Sequence, residues 1–209
     1  MRGAFAALLL VTLLPLPVAA ATLDSIYAAL SVQQSHAGSF RQTRTLKGLS
    51  FPVVSEGVFF FGNQMGFYSE TQKPLYQSVS YSPAGALEWD REGKPLKQNR
   101  NNPAGQYVSE MLLAFFQGDR KKIEEIFSVT LEQGGDSTAW QLLLTPRKKA
   151  VAEYIREIRI DGEREIHEIK VQATSGDQTL ILFSAISAAE NPASYCRYFP
   201  RASAAHCKR

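Results

Sequence analysis

Three histidines, His36, His167 and His206, are the side chains of this chain that could act as ordinary bases at neutral pH. None of them lies in a motif that builds a nucleophile, zinc or phosphate site, such as Gly-x-Ser-x-Gly or His-Glu-x-x-His. His167 falls within a predicted strand, where a surface or cross-strand histidine is the common situation. The neighbouring carboxylates Glu124 and Glu125 point apart on a helix. The sequence therefore predicts a protein that is not an enzyme and needs no cofactor.

The two cysteines, Cys196 and Cys207, are the other reactive side chains, and both lie in the C-terminal tail. In an oxidising compartment such a pair forms a disulfide by default. A zinc site that adds His206 is the alternative, but adjacent His and Cys side chains rarely point at one ion. We therefore predict a disulfide between Cys196 and Cys207, and no metal site.

The N-terminal segment predicts export from the cytoplasm. A short cationic start, Met1-Arg2-Gly3, is followed by an almost unbroken apolar run over residues 4–14 and by the small residues 19–21. This order is typical of a cleavable signal peptide. The apolar run is shorter than the ~20 residues that a membrane-spanning helix needs. We interpret residues 1–21 as a signal peptide and expect a soluble periplasmic protein after cleavage.

Charge and length favour one domain that does not bind nucleic acid. The chain has 23 basic and 20 acidic side chains, a net charge of +3. Its basic clusters at 120–122 and 147–149 are short, so they indicate solvated surface and not a nucleic-acid site. The length predicts a single domain, which we place at residues 22–186, followed by a Cys-containing tail at 187–209.

The pattern of apolar residues predicts a mainly β protein with a few helices. A first helix is expected over residues 22–34 with Thr22 as its N-cap. Two more helices are expected between 104 and 127, the second of them capped by Asp119. Asp161-Gly162 is a two-residue hairpin signal, and a second turn is expected at 175–177. The result is a large, curled antiparallel sheet. The predicted strands are 39–46, 52–61, 66–71, 76–81, 86–90, 128–132, 139–145, 151–160, 163–173 and 178–186.

Alternation along the second strand separates its side chains into two sets. Phe59 and Phe61 share one face, and Glu56 and Phe60 share the other, because side chains alternate along a strand. We expect the face without the glutamate to look inward. The apolar stripe of the helix at 104–117 must then be buried against the sheet.

The aromatic and aliphatic side chains of these elements allow two interpretations. They form an ordinary packed core, or the curled sheet and its covering helix enclose an apolar cavity for a small or lipidic ligand. Composition alone leaves both open. The candidate cavity residues are Phe59, Phe61, Phe67, Trp89, Met111, Leu112 and Phe115.

Four segments resemble one known family. His-Ala-Gly-Ser-Phe-Arg-Gln-Thr at 36–43, Ser-Glu-Gly-Val-Phe-Phe-Phe at 55–61, Trp-Gln-Leu-Leu-Leu-Thr-Pro at 140–146 and the hairpin at 158–169 are similar to the periplasmic lipoprotein carriers of the LolA type. The resemblance implies an open half-barrel covered by about three helices, with a chamber for the acyl chains of lipoproteins. It also implies that Phe59 and Phe61 lie on the concave face and that the helix at 104–117 is part of the lid.

One position departs from the family pattern. Family members usually carry Arg-Pro directly after the second strand, and that arginine is implicated in lid control. This chain has Asn63-Gln64 at the same place. The resemblance therefore makes Asn63 the lid-control position and implies that the handover of cargo differs from the usual one.

The resemblance leads to two hypotheses about function. In the first, the protein is a monomeric periplasmic carrier that shields lipoprotein acyl chains or a related lipidic cargo between membrane donor and acceptor proteins. In the second, the same half-barrel is a sensor or adaptor module that binds lipid or lipoprotein and reports to a membrane partner.

Overall fold

Ten antiparallel strands form one sheet in the computed structural model, which describes residues 21–31, 35–62, 65–82, 85–96, 111, 113–115, 117–133, 139–199 and 207. The strands are β1 His36–Thr45, β2 Val53–Gly62, β3 Gly66–Lys73, β4 Gln77–Ser82, β5 Gly85–Trp89, β6 Phe127–Gln133, β7 Trp140–Pro146, β8 Ile155–Gly162, β9 Ile166–Ala173 and β10 Gln178–Ala188. The helices are α1 Leu23–Ser31, α2 Arg120–Ile126, α3 Lys149–Ala152 and a 3-10 helix at Pro192–Tyr198. The predicted fold class is confirmed.

The sheet consists of two five-stranded meanders joined in the middle. Its strand order is β5-β4-β3-β2-β1-β10-β9-β8-β7-β6, so the first and last strands pair with each other. β5 and β6 are the two edges, and the sheet therefore stays open like half a barrel. The interruption in the register between β1 and β10 lies between Ala37 and Ser39.

Helix α1 begins where the sequence predicts. The Thr22 hydroxyl accepts a hydrogen bond from the Ser25 backbone N–H at 3.1 Å, and the Ser25 hydroxyl accepts one from the Thr22 N–H at 2.9 Å. This reciprocal arrangement satisfies two donors that have no partner inside the helix. The helix buries Ile26, Tyr27 and Leu30 on one side.

Two further helical segments cover the same face of the sheet. Residues 111 and 113–115 are helical and belong to the predicted helix at 104–117, most of which lies outside the described residues. Asp119 caps α2 by accepting a hydrogen bond from the Lys122 N–H at 3.2 Å, as the sequence predicts. Ile123 and Ile126 of α2 are buried. Among the described residues, no helix is both long and apolar enough to cross a membrane.

Side chains from these helices and from one face of the sheet form a single apolar cluster, the inner cluster. The inner cluster contains Ile26, Tyr27, Leu30, Phe59, Phe61, Phe67, Met111, Ala114, Phe115, Ile123, Ile126, Phe127, Trp140, Leu142, Leu144, Val151, Ile155, Ile158, Ile160, Ile166, Ile169 and Phe183. Phe59 and Phe61 therefore look inward, as the alternation along β2 predicts.

The opposite face of the sheet is also buried, which the sequence does not reveal. Phe60 is fully buried there because the 3-10 helix of the tail lies over it, with the Tyr195 ring stacked on the Phe60 ring at 4.0 Å between centroids and 6° between planes. Tyr198 stacks on Tyr68 at 4.2 Å. This second cluster, the outer cluster, contains Phe60, Met65, Tyr68, Trp89, Tyr198 and Phe199.

The predicted disulfide is present and holds the tail against the sheet. Cys196 and Cys207 are bonded, with sulfur atoms 2.10 Å apart. The two sulfur atoms lie 3.9 and 3.8 Å from the Met65 sulfur. Met65 follows β2 in the connection to β3, so the disulfide packs on the same hairpin that contributes residues to both clusters.

The hairpin signal at Asp161-Gly162 marks the correct hairpin but not its turn. Both residues belong to β8, Gly162 pairs with Ile166, and the chain reverses over residues 163–165. Gly162 is needed for another reason, because a Cβ there would lie 2.4 Å from the Trp140 ring. The glycine lets the indole lie directly on the backbone of β8.

Two predicted strand starts are also wrong. The strand expected to begin at Val151 begins at Ile155, because Val151 is fully buried as part of the short helix α3. The strand expected from residue 163 begins at Ile166, after the three-residue turn. The turn predicted at 175–177 is confirmed, and Gly176 adopts the positive φ of +96° that favours glycine.

Loss of the disulfide should weaken the whole fold. Closing a loop of 11 residues is worth about 3 kcal/mol in the chain-entropy model. We expect a Cys196→Ser/Cys207→Ser double variant to unfold in urea with a free energy of unfolding about 3 kcal/mol lower than that of the oxidised protein. A reducing agent should lower the stability of the original chain to the same level and leave the variant unchanged. An unaltered unfolding midpoint in the variant would contradict this.

Candidate apolar binding site

Aromatic rings from three strands meet at the centre of the inner cluster. The Phe59 ring of β2 stacks on the Phe67 ring of β3 at 6.0 Å between centroids, with 21° between planes. On its other side it meets the Phe183 ring of β10 edge to face at 5.1 Å. Such pairs stabilise by roughly 1 kcal/mol beyond the area that they bury. The three rings form the sheet side of the candidate site.

The helical side of the site is equally apolar. Tyr27 of α1 stacks on Phe115 at 6.5 Å between ring centroids. Met111 and Phe115 are buried almost completely. Helices and strands therefore meet through side chains that make non-directional contacts, so an apolar ligand can replace a helix side chain against the sheet without leaving a polar group unpaired.

Most of the predicted cavity residues come together, and one does not. Phe59, Phe61, Phe67, Met111 and Phe115 share the inner cluster. Whether they bind a ligand stays a prediction. Leu112 and the lid-control position Asn63 lie outside the described residues, as do residues 1–20 of the predicted signal peptide.

Trp89 lies on the opposite face, so its assignment to the same site is corrected. It belongs to the outer cluster, meets Tyr198 edge to face at 5.4 Å and donates a hydrogen bond from its indole N–H to the Ser80 hydroxyl at 2.9 Å. The reason is the alternation of side chains along the strands. Trp89 lies directly opposite Ser78 and therefore shares the face of Ser78 and Ser80.

The sequence does not identify the part of the inner cluster that β7, β8 and β9 contribute. It consists of aliphatic side chains from β7, β8 and β9 that are almost fully buried. Their alternation along each strand, as in Leu142 and Leu144, was available as a signal. The residues are Leu142, Leu144, Ile158, Ile160 and Ile169.

Tyr27 places one polar atom in this apolar surrounding. Its hydroxyl is buried and has no hydrogen-bond partner. Burial raises the pKa of Tyr27 to about 12, with a further rise from the Glu124 carboxylate, while the Arg120 guanidinium opposes the shift. The hydroxyl therefore stays protonated at physiological pH and is available as a donor. Within the described residues, no group of three or more His, Cys, Asp or Glu side chains is placed to hold a metal ion.

A known protein family accounts for this arrangement. The family model described as outer membrane lipoprotein carrier protein LolA-like matches residues 18–200. The chain belongs to the LolA-like family. The LolA-like match extends beyond β10 and includes the 3-10 helix that covers the outer cluster. No curated protein sequence matches the chain.

Solved structures show only loose likeness to this LolA-like chain. One is the LolA superfamily protein NE2245 from Nitrosomonas europaea, at 9% identity and a TM-score of 0.44, with 84% of this chain and 97% of that chain covered. Another is a DUF1329 family protein from Desulfovibrio piger, at 11% identity and a TM-score of 0.47, with 90% of this chain and 99% of that chain covered. A third is MucB in the Pseudomonas aeruginosa MucA/MucB complex, at 11% identity and a TM-score of 0.44, with 79% of this chain and 55% of that chain covered. The chain thus spans about half of the MucB chain. With TM-scores below 0.5, these likenesses carry no argument about ligands or partners.

The unpaired hydroxyl of Tyr27 gives a prediction about stability. A buried polar group without a partner costs about 1 to 3 kcal/mol. We expect Tyr27→Phe to leave the free energy of unfolding unchanged or to raise it by about 1 kcal/mol, as measured by urea denaturation.

Tyr68→Phe is the matched control. The Tyr68 hydroxyl donates a hydrogen bond to Glu70 and accepts one from Ser78, each at 2.9 Å. Its removal should lower the free energy of unfolding by about 1 to 2 kcal/mol. If Tyr27→Phe destabilises the protein as much as Tyr68→Phe does, the Tyr27 hydroxyl has a partner in solution and the prediction is wrong.

Proposed function

We propose that this protein is a periplasmic carrier that shields acyl chains, those of lipoproteins or of a related lipidic cargo, within the inner cluster. The observation that carries the proposal is the composition of that cluster, in which one face of a ten-stranded half-barrel meets helices through apolar side chains. Membership of the LolA-like family supports it.

The energetics of an acyl chain explain why such a cargo needs a cover. Each CH₂ group removed from water stabilises the bound state by about 0.8 kcal/mol. A diacyl cargo therefore crosses an aqueous compartment only inside an apolar site. When acyl chains enter between helix and sheet, they replace the apolar contacts that the helices lose, which keeps the free energy of opening low.

The polar contacts between the covering helices α1 and α2 are weak. Arg120 of α2 forms ion pairs with Asp24 of α1 and with Glu124 of its own helix. The Asp24 side chain is largely exposed, and exposed ion pairs contribute roughly 0 to 1 kcal/mol. These contacts orient the cover and leave it able to move away from the sheet.

The proposed location rests on the chemistry of the two ends of the chain. Residues 1–21 have the composition of a signal peptide. The disulfide at the other end is of a kind that persists in oxidising compartments such as the bacterial periplasm. The carrier then works without catalysis and without a cofactor, as a monomer that receives cargo from one membrane and delivers it to another. With Asn63 at the lid-control position, its handover differs from that of conventional carriers.

Two neighbouring phenylalanines of β2 test the proposal directly. Phe60 and Phe61 are equally buried, but Phe60 lies in the outer cluster and Phe61 in the inner cluster. Phe61→Gln places an amide in the proposed site, where an unpaired polar group costs several kcal/mol. Phe60→Gln places the same amide on the other face. Uptake of a fluorescent fatty-acyl probe is the measurement, after circular dichroism has shown that both variants fold.

We expect Phe61→Gln to lose most of its probe uptake and Phe60→Gln to retain it. Equal uptake by both variants would show that the inner cluster is a packed core and not a binding site. Transfer of the probe from loaded protein to acceptor vesicles distinguishes a carrier from an adaptor, because an adaptor of the same fold would bind the probe and retain it.

A further inference from the structure

Five connections lie side by side at one end of the half-barrel. In the order of the strands they are residues 90–96 after β5, 74–76 between β3 and β4, 46–52 between β1 and β2, 174–177 between β9 and β10, and 147–154 between β7 and β8. We call them the loop end.

Hydrogen bonds join neighbouring connections of the loop end. The Lys47 N–H donates to the Asp177 carboxylate at 2.7 Å, and the Thr174 N–H donates to the Tyr154 carbonyl at 3.1 Å. The loops at 46–52, 174–177 and 147–154 are therefore held next to one another. They form one continuous surface.

Large apolar side chains are exposed at this end of the sheet. Phe51 is 70% exposed and Leu75 is 78% exposed, each in a short loop between two strands. Scattered exposed apolar residues are normal, but a concentration of them indicates a surface that binds something. Among the described residues, Leu182 is the one exposed large apolar side chain that lies elsewhere. Those at the loop end are Leu49, Phe51, Val53, Leu75, Leu96 and Tyr154.

Basic side chains lie in the same loops as these exposed apolar side chains and in the strand ends beside them. The loops at 46–52, 74–76, 147–154 and 174–177, with the strand residues that flank them, carry seven basic side chains and two acidic ones, Glu153 and Asp177. The loop at 90–96 adds two of each sign. Since the whole chain has a net charge of only +3, the loop end is more basic than the rest of the molecule. The seven, all exposed, are Arg44, Lys47, Lys73, Arg147, Lys148, Lys149 and Arg156.

One of the two acidic groups is already engaged. The Asp177 carboxylate accepts the Lys47 N–H, and this hydrogen bond, with a second one from Ser175, holds the pKa of Asp177 below its usual range. Its charge is therefore directed toward this chain's own backbone. The basic side chains of the other loops extend into solvent.

We propose that the loop end docks on an anionic lipid surface. Exposed apolar side chains enter the boundary between headgroups and acyl chains, and basic side chains near them are attracted to anionic headgroups. Each Lys or Arg near such a surface strengthens binding about fivefold. A protein partner fits less well, because charged residues are depleted at the core of protein interfaces, whereas here they lie in the same loops as the exposed apolar side chains. This docking goes beyond the carrier function and does not depend on acyl binding by the inner cluster.

Vesicle flotation with the mature, cargo-free chain tests the proposal. We expect binding to vesicles of phosphatidylethanolamine and phosphatidylglycerol, and binding more than a hundredfold weaker to vesicles of phosphatidylcholine alone, because the attraction of all seven basic side chains is then lost. Raised salt should weaken the binding to anionic vesicles. Lys148→Gln/Lys149→Gln should reduce binding to the anionic vesicles about tenfold or more and leave the weak binding to phosphatidylcholine unchanged.

Phe51→Ser/Leu75→Ser tests the exposed apolar side chains of the loop end, and Leu182→Ser is the matched control. Since all three side chains are exposed, these variants should fold like the original chain. The double variant should bind anionic vesicles about tenfold more weakly, whereas the control should bind them normally. Acyl-probe uptake should be the same in all of them, which separates this test from that of the inner cluster.

Several results would overturn the proposal. These are no binding to protein-free vesicles, equal binding by the double variant and the original chain, or an equal loss in the Leu182→Ser control. Binding to a membrane protein in the absence of any binding to protein-free vesicles would place a protein on the loop end and would overturn it too.

Discussion

Burial of strand β2 on both faces is the constraint on which the rest of the structure depends. Phe59 and Phe61 point to one side and Phe60 points to the other, because successive side chains of a strand alternate. All three side chains need an apolar surrounding. The helices supply it on the inner face, and the tail with its disulfide supplies it on the outer face. The sheet is therefore the middle of three layers at this point. The helices cover Phe59 and Phe61, and the tail covers Phe60.

Local signals predicted most of the fold. The N-cap at Thr22, the cap at Asp119 and the alternation in β2 depend on residues that are close in sequence, and each is found where it was expected. The disulfide was predictable because the chain offers only two cysteines. The local signal fails at Gly162. The pair Asp161-Gly162 predicts a turn, but Gly162 lies in β8, where its absent side chain makes room for Trp140 of the neighbouring strand.

Contacts between distant segments could not be derived in this way. Trp89 packs against Tyr198 of the tail. No periodic pattern in either segment predicts this contact. For the candidate site, alternation along β2 predicts that Phe59 and Phe61 point inward, and the apolar stripe of the helix predicts the burial of Met111 and Phe115. Phe183 was not recognised because its role depends on β10 lying beside β1, which is a property of the whole topology.

The pairing of the first strand with the last has a consequence for how the chain folds. Each five-stranded meander consists of hairpins between neighbours in sequence, which close short loops and form quickly. The β1–β10 ladder joins segments that are separated by most of the chain, so its contact order is high and its loop-closure entropy is large. Until it forms, β1 and β10 are exposed edges with unpaired backbone groups, which can pair with other chains. The folding chain is therefore most prone to aggregation in the interval after its two halves have formed and before β1 and β10 pair.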